Sequence, residues 1–235
     1  MAKYAIEDTT LSAIGNAIRE KTGKTELLTP SNMAIEIEGI SNDKSVSILN
    51  QTITEYSNSE ITELGSYIFY GCRYLERVNT PNLAKIGDHV FYNCSNLQDI
   101  SSQNITEING DYIVYGCSKL ENLDLSNLVK MGSDRFYYLC YGCQALKRVD
   151  LGNVPSRFYR YNFNDCKVLE TLILRSSTLM ALDNSTNNFS GTPITNGTGY
   201  IYVPSALIEQ YKTATNWSVF ADQFRAIEDY PNICG

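Results

Sequence analysis

Between residues 57 and 180, apolar and polar positions recur in a long cycle instead of a single helical stripe. A seven-residue core, apolar-Tyr-x-Cys-x-x-Leu, occurs at 69–75, 91–97, 114–120, 140–146 and 163–169, with Asn164 in place of the tyrosine in the last copy. Its cysteines, Cys72, Cys94, Cys117, Cys143 and Cys166, step by 22, 23, 26 and 23 residues. A fixed period of this length predicts a solenoid, because each repeat can bury its apolar face only against its neighbours.

Each copy continues alike. Three residues after the leucine stands an aliphatic: Val78, Ile100, Leu123, Val149 or Leu172. Two further on is a second inward slot, held by Thr80, Ser102, Leu125, Leu151 and Leu174. Then come Asn82, Asn104, Asn127 and Asn153, replaced by Ser176 in the fifth copy. Alternation along this stretch predicts a strand with the leucine and the two following apolar slots inward. The asparagines are expected to form a ladder that satisfies backbone groups at a corner of every coil. The fourth copy carries three extra residues near Ser133 to Leu139, and a bulge is expected there.

The cycle from Leu75 through Val78, Thr80, Pro81, Asn82, Leu83, Ile86, Gly87, Val90 and Phe91 to Cys94 resembles the BspA-type leucine-rich repeat of bacterial surface proteins. The resemblance covers residues 57 to 180. It implies an α+β repeat, a leucine-rich-repeat solenoid of about five irregular repeats of 22 to 26 residues, with helical caps at both ends.

Two flanking segments fit such caps. Residues 1–45 read as an N-terminal helical cap or adaptor. Asp8, Thr9 and Thr10 offer cap oxygens to a helix over 8–22, with Leu11, Ile14 and Ile18 on one face. Thr29 and Pro30 open a second helix with Met33, Ile37 and Ile40 as its stripe. This segment also resembles a short module in tail-associated proteins of phages that infect Gram-positive bacteria. Residues 46–180 are the solenoid and 181–235 a C-terminal cap. In that cap Tyr200 to Val203 reads as a strand, and two helices follow, the last carrying Val219, Phe220, Phe224 and Ile227. The stretch from Ile201 to Trp217 is similar to the segment closing many BspA-type arrays in gut Firmicutes. Trp217 is expected in the core.

Composition narrows the function. The 235 residues are 43% hydrophobic and 19% charged, enough for a sizeable core. A net charge of -7 argues against nucleic acid as partner. No run approaches the roughly 18 apolar residues of a membrane span, and the first residues lack the charged and apolar pattern of a signal peptide. No cofactor or metal is expected, since the chain has one histidine and no phosphate-binding or nucleophile motif. His89 reads as a solvated turn residue. The column cysteines and Cys140 read as reduced and inward, Cys234 as a surface thiol.

What remains is surface. Outward strand positions form one column of Arg77, Asp99, Asn122, Arg148 and Thr171, beside another of Asn79, Ser101, Asp124, Asp150 and Ile173. Tyr70, Tyr92, Tyr115 and Tyr141 recur after the apolar slot, which fits packing between rungs. Tyr137, Tyr138, Tyr159 and Tyr161 gather around the expanded coil, which fits ligand contact. The expectation is a non-catalytic binding or adhesion module, surface-displayed or phage-tail-associated, that contacts a glycan or protein. Candidate ligand-binding residues are Tyr137, Tyr138, Tyr159 and Tyr161, then Asp124, Arg148 and Asp150. The alternative is a structural virion or assembly spacer. Either way the location is extracellular, on a cell surface or on a virion.

Overall fold

A computed structural model describes residues 53–235. The two helices expected within 1–45 lie outside the described residues. The described chain winds as a parallel solenoid whose strands fall on two sides. On the first side stack β1 (Glu55–Ser57), β3 (Arg77–Asn79) and β5 (Asp99–Ser101). After a break in hydrogen bonding this side resumes with β7 (Asn122–Leu125), β10 (Arg148–Leu151), β12 (Thr171–Leu174), β14 (Tyr200–Val203) and β15 (Phe224–Ala226). The second side holds β2 (Glu63–Leu64), β4 (Lys85–Ile86), β6 (Glu107–Ile108) and β8 (Lys130–Met131). It then resumes with β9 (Arg135–Tyr137), β11 (Arg157–Arg160) and β13 (Ala181–Leu182).

Pairing follows the sequence columns. Arg77 sits opposite Asp99, and Asn122 opposite Arg148, which in turn faces Thr171. A third ladder runs along the turn that carries the cysteine motif. Phe69 N donates to Val90 O at 3.1 Å, Phe91 N to Ile113 O at 3.0 Å and Val114 N to Leu139 O at 3.0 Å. Backbone groups on three sides of a coil thus find partners in the adjacent coil, as buried polar groups must.

Side chains add two more ladders. Asn82 Nδ2 donates to Ser59 O at 2.8 Å, Asn104 Nδ2 to Pro81 O at 2.7 Å and Asn127 Nδ2 to Gln103 O at 2.7 Å. This is the expected corner ladder, although its asparagines are exposed. Asn153 departs from it and accepts from Ser177 N. The cysteines form the other ladder. Cys94 Sγ donates to Phe69 O, Cys117 Sγ to Phe91 O and Cys143 Sγ to Val114 O, each at 3.0 Å. A cysteine here fills a small apolar slot and also satisfies a carbonyl of the preceding coil, which alanine cannot do. The inward slots at Thr80 and Ser102 are buried and polar, and their hydroxyls lie 2.6 Å apart.

The C-terminal segment extends the sheet as well as closing it. β14 pairs with β12, and β15 with β14. Short helices lie between: α1 (Ser185–Phe189), capped by Asn184, and α2 (Ile208–Thr213). A 3-10 turn follows at Ser218–Gln223. The helix expected to run through Phe224 gives way there to a strand. Phe224 and Ala226 are buried on either side of Arg225, a period-2 pattern, and β14 would otherwise leave an unpaired edge. Trp217 is fully buried; its Nε1 donates to Met180 O at 2.7 Å. α3 (Pro231–Cys234) closes the described chain, with Cys234 buried against Ile173 and Tyr202. The surface position expected for Cys234 is therefore corrected: its helix folds back onto the outer sheet face.

All seven cysteines are free and buried. Burial pushes the Cys143 thiol up to about 12 and raises Cys117, Cys140 and Cys166 as well.

Two predictions follow from this packing. Leu120 is fully buried in mid-array. Leu120→Ala should cost about 2–5 kcal/mol, because a hole between two hydrogen-bonded coils cannot collapse; a denaturant titration unchanged from wild type would refute its inward role. The thiols set a pH limit. Unfolded thiols ionise near 8.5, and the folded ones higher. Their contribution to stability is complete below about 8.5 and is lost as pH rises toward the folded values. Unfolding midpoints measured from pH 7 upward should fall above pH 8.5, and native thiols should react slowly with a titrant. Fast labelling of most of them in the folded chain would contradict the packing.

Candidate functional site

The fourth coil departs from the repeat through its extra residues, and the structure shows how they are used. This coil carries two strands on the second side. β8 stacks on β6, whereas β9 stacks on β11. Residues 132–134 join them, so the second sheet stops on one line and restarts on another. The expected bulge is thus a step in the sheet. β9 and β11 alternate cleanly. Phe136 and Phe158 are buried with ring centroids 5.4 Å apart, while Tyr137 and Tyr159 face outward and are half-buried. Pairing slips between Phe158 and Arg160, leaving Tyr159 at a β-bulge. Bulges re-aim side chains and recur beside functional sites.

Beneath this step Asn162 is fully buried. Its Nδ2 donates to Phe136 O at 3.0 Å, and its Oδ1 accepts from Leu139 N at 3.2 Å. Asn188 Oδ1 in turn accepts from Asn162 N at 3.1 Å. The two amides replace ladder bonds that the step interrupts. Asn162 was visible in the sequence as the polar residue in an otherwise apolar column of Ile68, Val90, Ile113 and Leu139.

Two aromatic columns run along the turn. Tyr70, Tyr92, Tyr115 and Tyr141 stack at 4.8, 4.6 and 4.9 Å, nearly parallel. Beside them Tyr67, His89, Tyr112, Tyr138 and Tyr161 stack at 4.9, 4.4, 4.9 and 5.1 Å. The second column was not recognised from sequence, because His89 interrupts the tyrosines. Every member of it has positive φ, between 51 and 64°. Such backbone is costly for bulky residues, and here ring stacking and the turn ladder hold it. The neighbouring left-handed position is filled by Gly71, Asn93, Gly116, Gly142 and Asp165, residue types that tolerate it. His89 is accordingly no solvated turn residue. It lies half-buried between two tyrosine rings, with Nδ1 2.7 Å from Asp88 Oδ2.

The four candidate tyrosines come together. Tyr137 meets Tyr138 edge-on at 4.6 Å and Tyr159 at 5.6 Å, and Tyr138 stacks on Tyr161. Tyr138 and Tyr161 also belong to the ladder, so part of their area is structural. Arginines border the patch: the guanidinium carbons of Arg135 and Arg160 lie 5.2 and 5.1 Å from the Tyr159 ring centre.

Asp124, Arg148 and Asp150 lie on the first side, on a different sheet. Asp124 is exposed, as alternation predicts. Asp150 is fully buried, which corrects the expectation of a free outward carboxylate. Arg175 Nε reaches its Oδ1 at 2.7 Å, and Arg148 Nη2 reaches its Oδ2 at 2.6 Å. Both arginines also donate to the carbonyls of α3, at Ile233 and Cys234. The outer face of the last coils is therefore covered by the chain's own terminal helix, and Ile173 is buried with it. Arg175 was missed because it stands after the last inward slot, outside the outward columns. An open depression of about 310 Å³ remains at this edge, bordered by Asp124, Ser126, Asn127 and Gly235. Among the described residues no group of His, Cys, Asp or Glu could hold a metal ion, and no helix is long and apolar enough to cross a membrane.

No curated protein matches the chain. Among solved structures, it is similar to a leucine-rich repeat protein from Eubacterium ventriosum, at 21% identity and TM-score 0.45, over 60% of this chain and 44% of that one. The leucine-rich repeat protein of T. pallidum matches at 21% identity and TM-score 0.45, over 59% of this chain and 63% of that one. The pneumococcal vaccine antigen PcpA matches at 21% identity and TM-score 0.46, over 74% and 40%. The chain thus spans less than two thirds of each of these proteins. The family described as BspA type leucine rich repeat region matches residues 44–170, in six copies. With more than half of its length matched by a family whose strand, cysteine and turn columns it also displays, the chain belongs to the BspA-type leucine-rich repeat proteins.

Proposed function

We propose that this protein is a non-catalytic binding module that contacts a glycan or protein ligand at an extracellular surface, either of a cell or of a virion. The observation that carries this reading is the gathering of Tyr137, Tyr138, Tyr159 and Tyr161 on one surface, at the coil of the cysteine-motif repeats that is expanded by insertion. Insertions in repeat proteins map to loops that often make the binding face, and regular coils serve as scaffold. The tyrosines are held by two strands, a bulge and a buried amide pair, so their rings are pre-positioned and lose little entropy on contact. Asp124 and the depression beside it offer a secondary, polar contact region. Asp150 belongs to the support of that region, since both its oxygens are engaged.

The test separates contact area from ladder packing. Tyr137 and Tyr159 belong to neither stacked column, although Tyr137 packs edge-on against Tyr112 and Tyr138, so Tyr137→Ala/Tyr159→Ala should stay folded and lose only a few degrees of melting temperature. The double variant should bind intact Gram-positive cells or an arrayed glycan at least tenfold more weakly than wild type, as measured by flow cytometry or array fluorescence. Undiminished binding by the folded variant would remove this patch. Failure of wild type to bind any host surface would favour the spacer role.

A further inference from the structure

The patch gathers basic side chains although the chain as a whole is acidic. The protein is acidic, with 26 Asp and Glu against 19 Lys and Arg. Around Tyr159, however, Arg135 on β9 and Arg160 on β11 lie over the ring, and Arg157 stands two positions before Tyr159 on β11. Arg135 and Arg157 are direct partners across the ladder. Like charges directly opposite each other destabilise a sheet. Only Arg157 has a carboxylate partner by contact, Asp134 Oδ2 at 3.1 Å. Asp111 acts on Arg135 through space, and no hydrogen bond joins them. The Nε atoms of Arg135 and Arg157 are buried without any hydrogen-bond partner. Arg160 is exposed, lies over the face of Tyr159 and, among the described residues, has no carboxylate in contact. Those two Nε atoms face inward, but the outer ends of the guanidinium groups reach the surface, where an oxyanion can accept from them in a planar, two-pronged geometry.

The surroundings indicate what carries that anion. Tyr137, beside the arginines, packs against the stacked rings of Tyr112, Tyr138 and Tyr161, which are spaced at 4.9 and 5.1 Å. Their faces are taken by one another, which leaves ring edges and hydroxyls to a ligand. The ladders end at Tyr141 and Tyr161, beyond which no further ring stacks among the described residues. With the arginines this makes a rigid, polar strip rich in hydroxyls. It suits a polyhydroxylated chain with acidic groups. We propose that Arg135, Arg157 and Arg160, arrayed about Tyr159, form a site for an acidic polysaccharide, one bearing carboxylate or sulfate groups on its sugars. The inference rests on the binding-module reading and names the ligand class for it.

Retention of the full chain on immobilised heparin and polygalacturonate tests the site, with dextran as neutral control and soluble poly-glutamate as competitor. The site predicts retention on one or both acidic glycans, elution by salt, none on dextran and poor competition by poly-glutamate. Arg135→Gln/Arg160→Gln should weaken retention at least tenfold; Arg160→Gln alone, at an exposed position, should weaken it severalfold even if the double variant folds poorly. No retention of wild type on either acidic glycan would overturn the proposal, as would equal retention of folded Arg160→Gln. Competition by poly-glutamate as strong as by heparin would assign the cluster to acidic peptide and overturn it too. Loss of cell binding in Tyr137→Ala/Tyr159→Ala with full binding in Arg160→Gln would overturn the acidic-glycan site and leave the binding-module reading standing.

Discussion

Each coil of this protein is completed by the next one. Backbone amides on the two strand sides and on the turn side pair between neighbouring coils along most of the array, at the spacing of adjacent strands, about 4.8 Å. That single constraint places the residues of the regular coils above their counterparts in the previous repeat. A residue type that gains from meeting its own kind, or the carbonyl beneath it, therefore gains along the whole array. The asparagine corner, the thiol-to-carbonyl ladder and the stacked tyrosines are three results of one geometry. None has an equivalent within an isolated repeat, which is why such units are stable only in series.

The same constraint explains where the exceptions fall. Three added residues cannot be absorbed inside a coil whose three sides are all paired. They are absorbed by ending one sheet at β8 and starting another at β9. The backbone groups freed by that step are taken up by Asn162 and Asn188, both fully buried. The cost of the irregularity is thus met by a dedicated amide pair, and the surface above it displays tyrosine and arginine. At the other exception, α3 lies across the first sheet, and the Arg148–Asp150–Arg175 group ties it there. Removing either arginine would leave a buried carboxylate short of a partner, the situation in which buried ion pairs matter most.

Periodicity made the solenoid legible in the chain, since Leu75 to Cys94 already contains every inward slot, and the cysteine spacing located the expanded coil. Local patterning failed at Asp150, at Phe224 to Ala226 and at His89, as it did at Cys234, each for a physical reason. Asp150 obeys strand alternation, but a helix more than 80 residues later covers its face, and alternation says nothing about such long-range cover. Phe224 to Ala226 follows a helical stretch, yet an open strand edge recruits it. His89 looked isolated because its aromatic neighbours lie one coil away, at Tyr67 and Tyr112. The candidate tyrosines were legible as a group; the arginines around them were not, because only the bulge at Tyr159 brings Arg135 and Arg160 to the same ring.

Native-state amide hydrogen exchange tests the central constraint most directly. If coils complete one another on three sides, the turn amides of Phe69, Phe91, Val114 and Cys140 should be protected to the same degree as the strand amides of Val78, Leu123 and Val149. Protection confined to the strands, with the turn amides exchanging as in an unfolded chain, would contradict it.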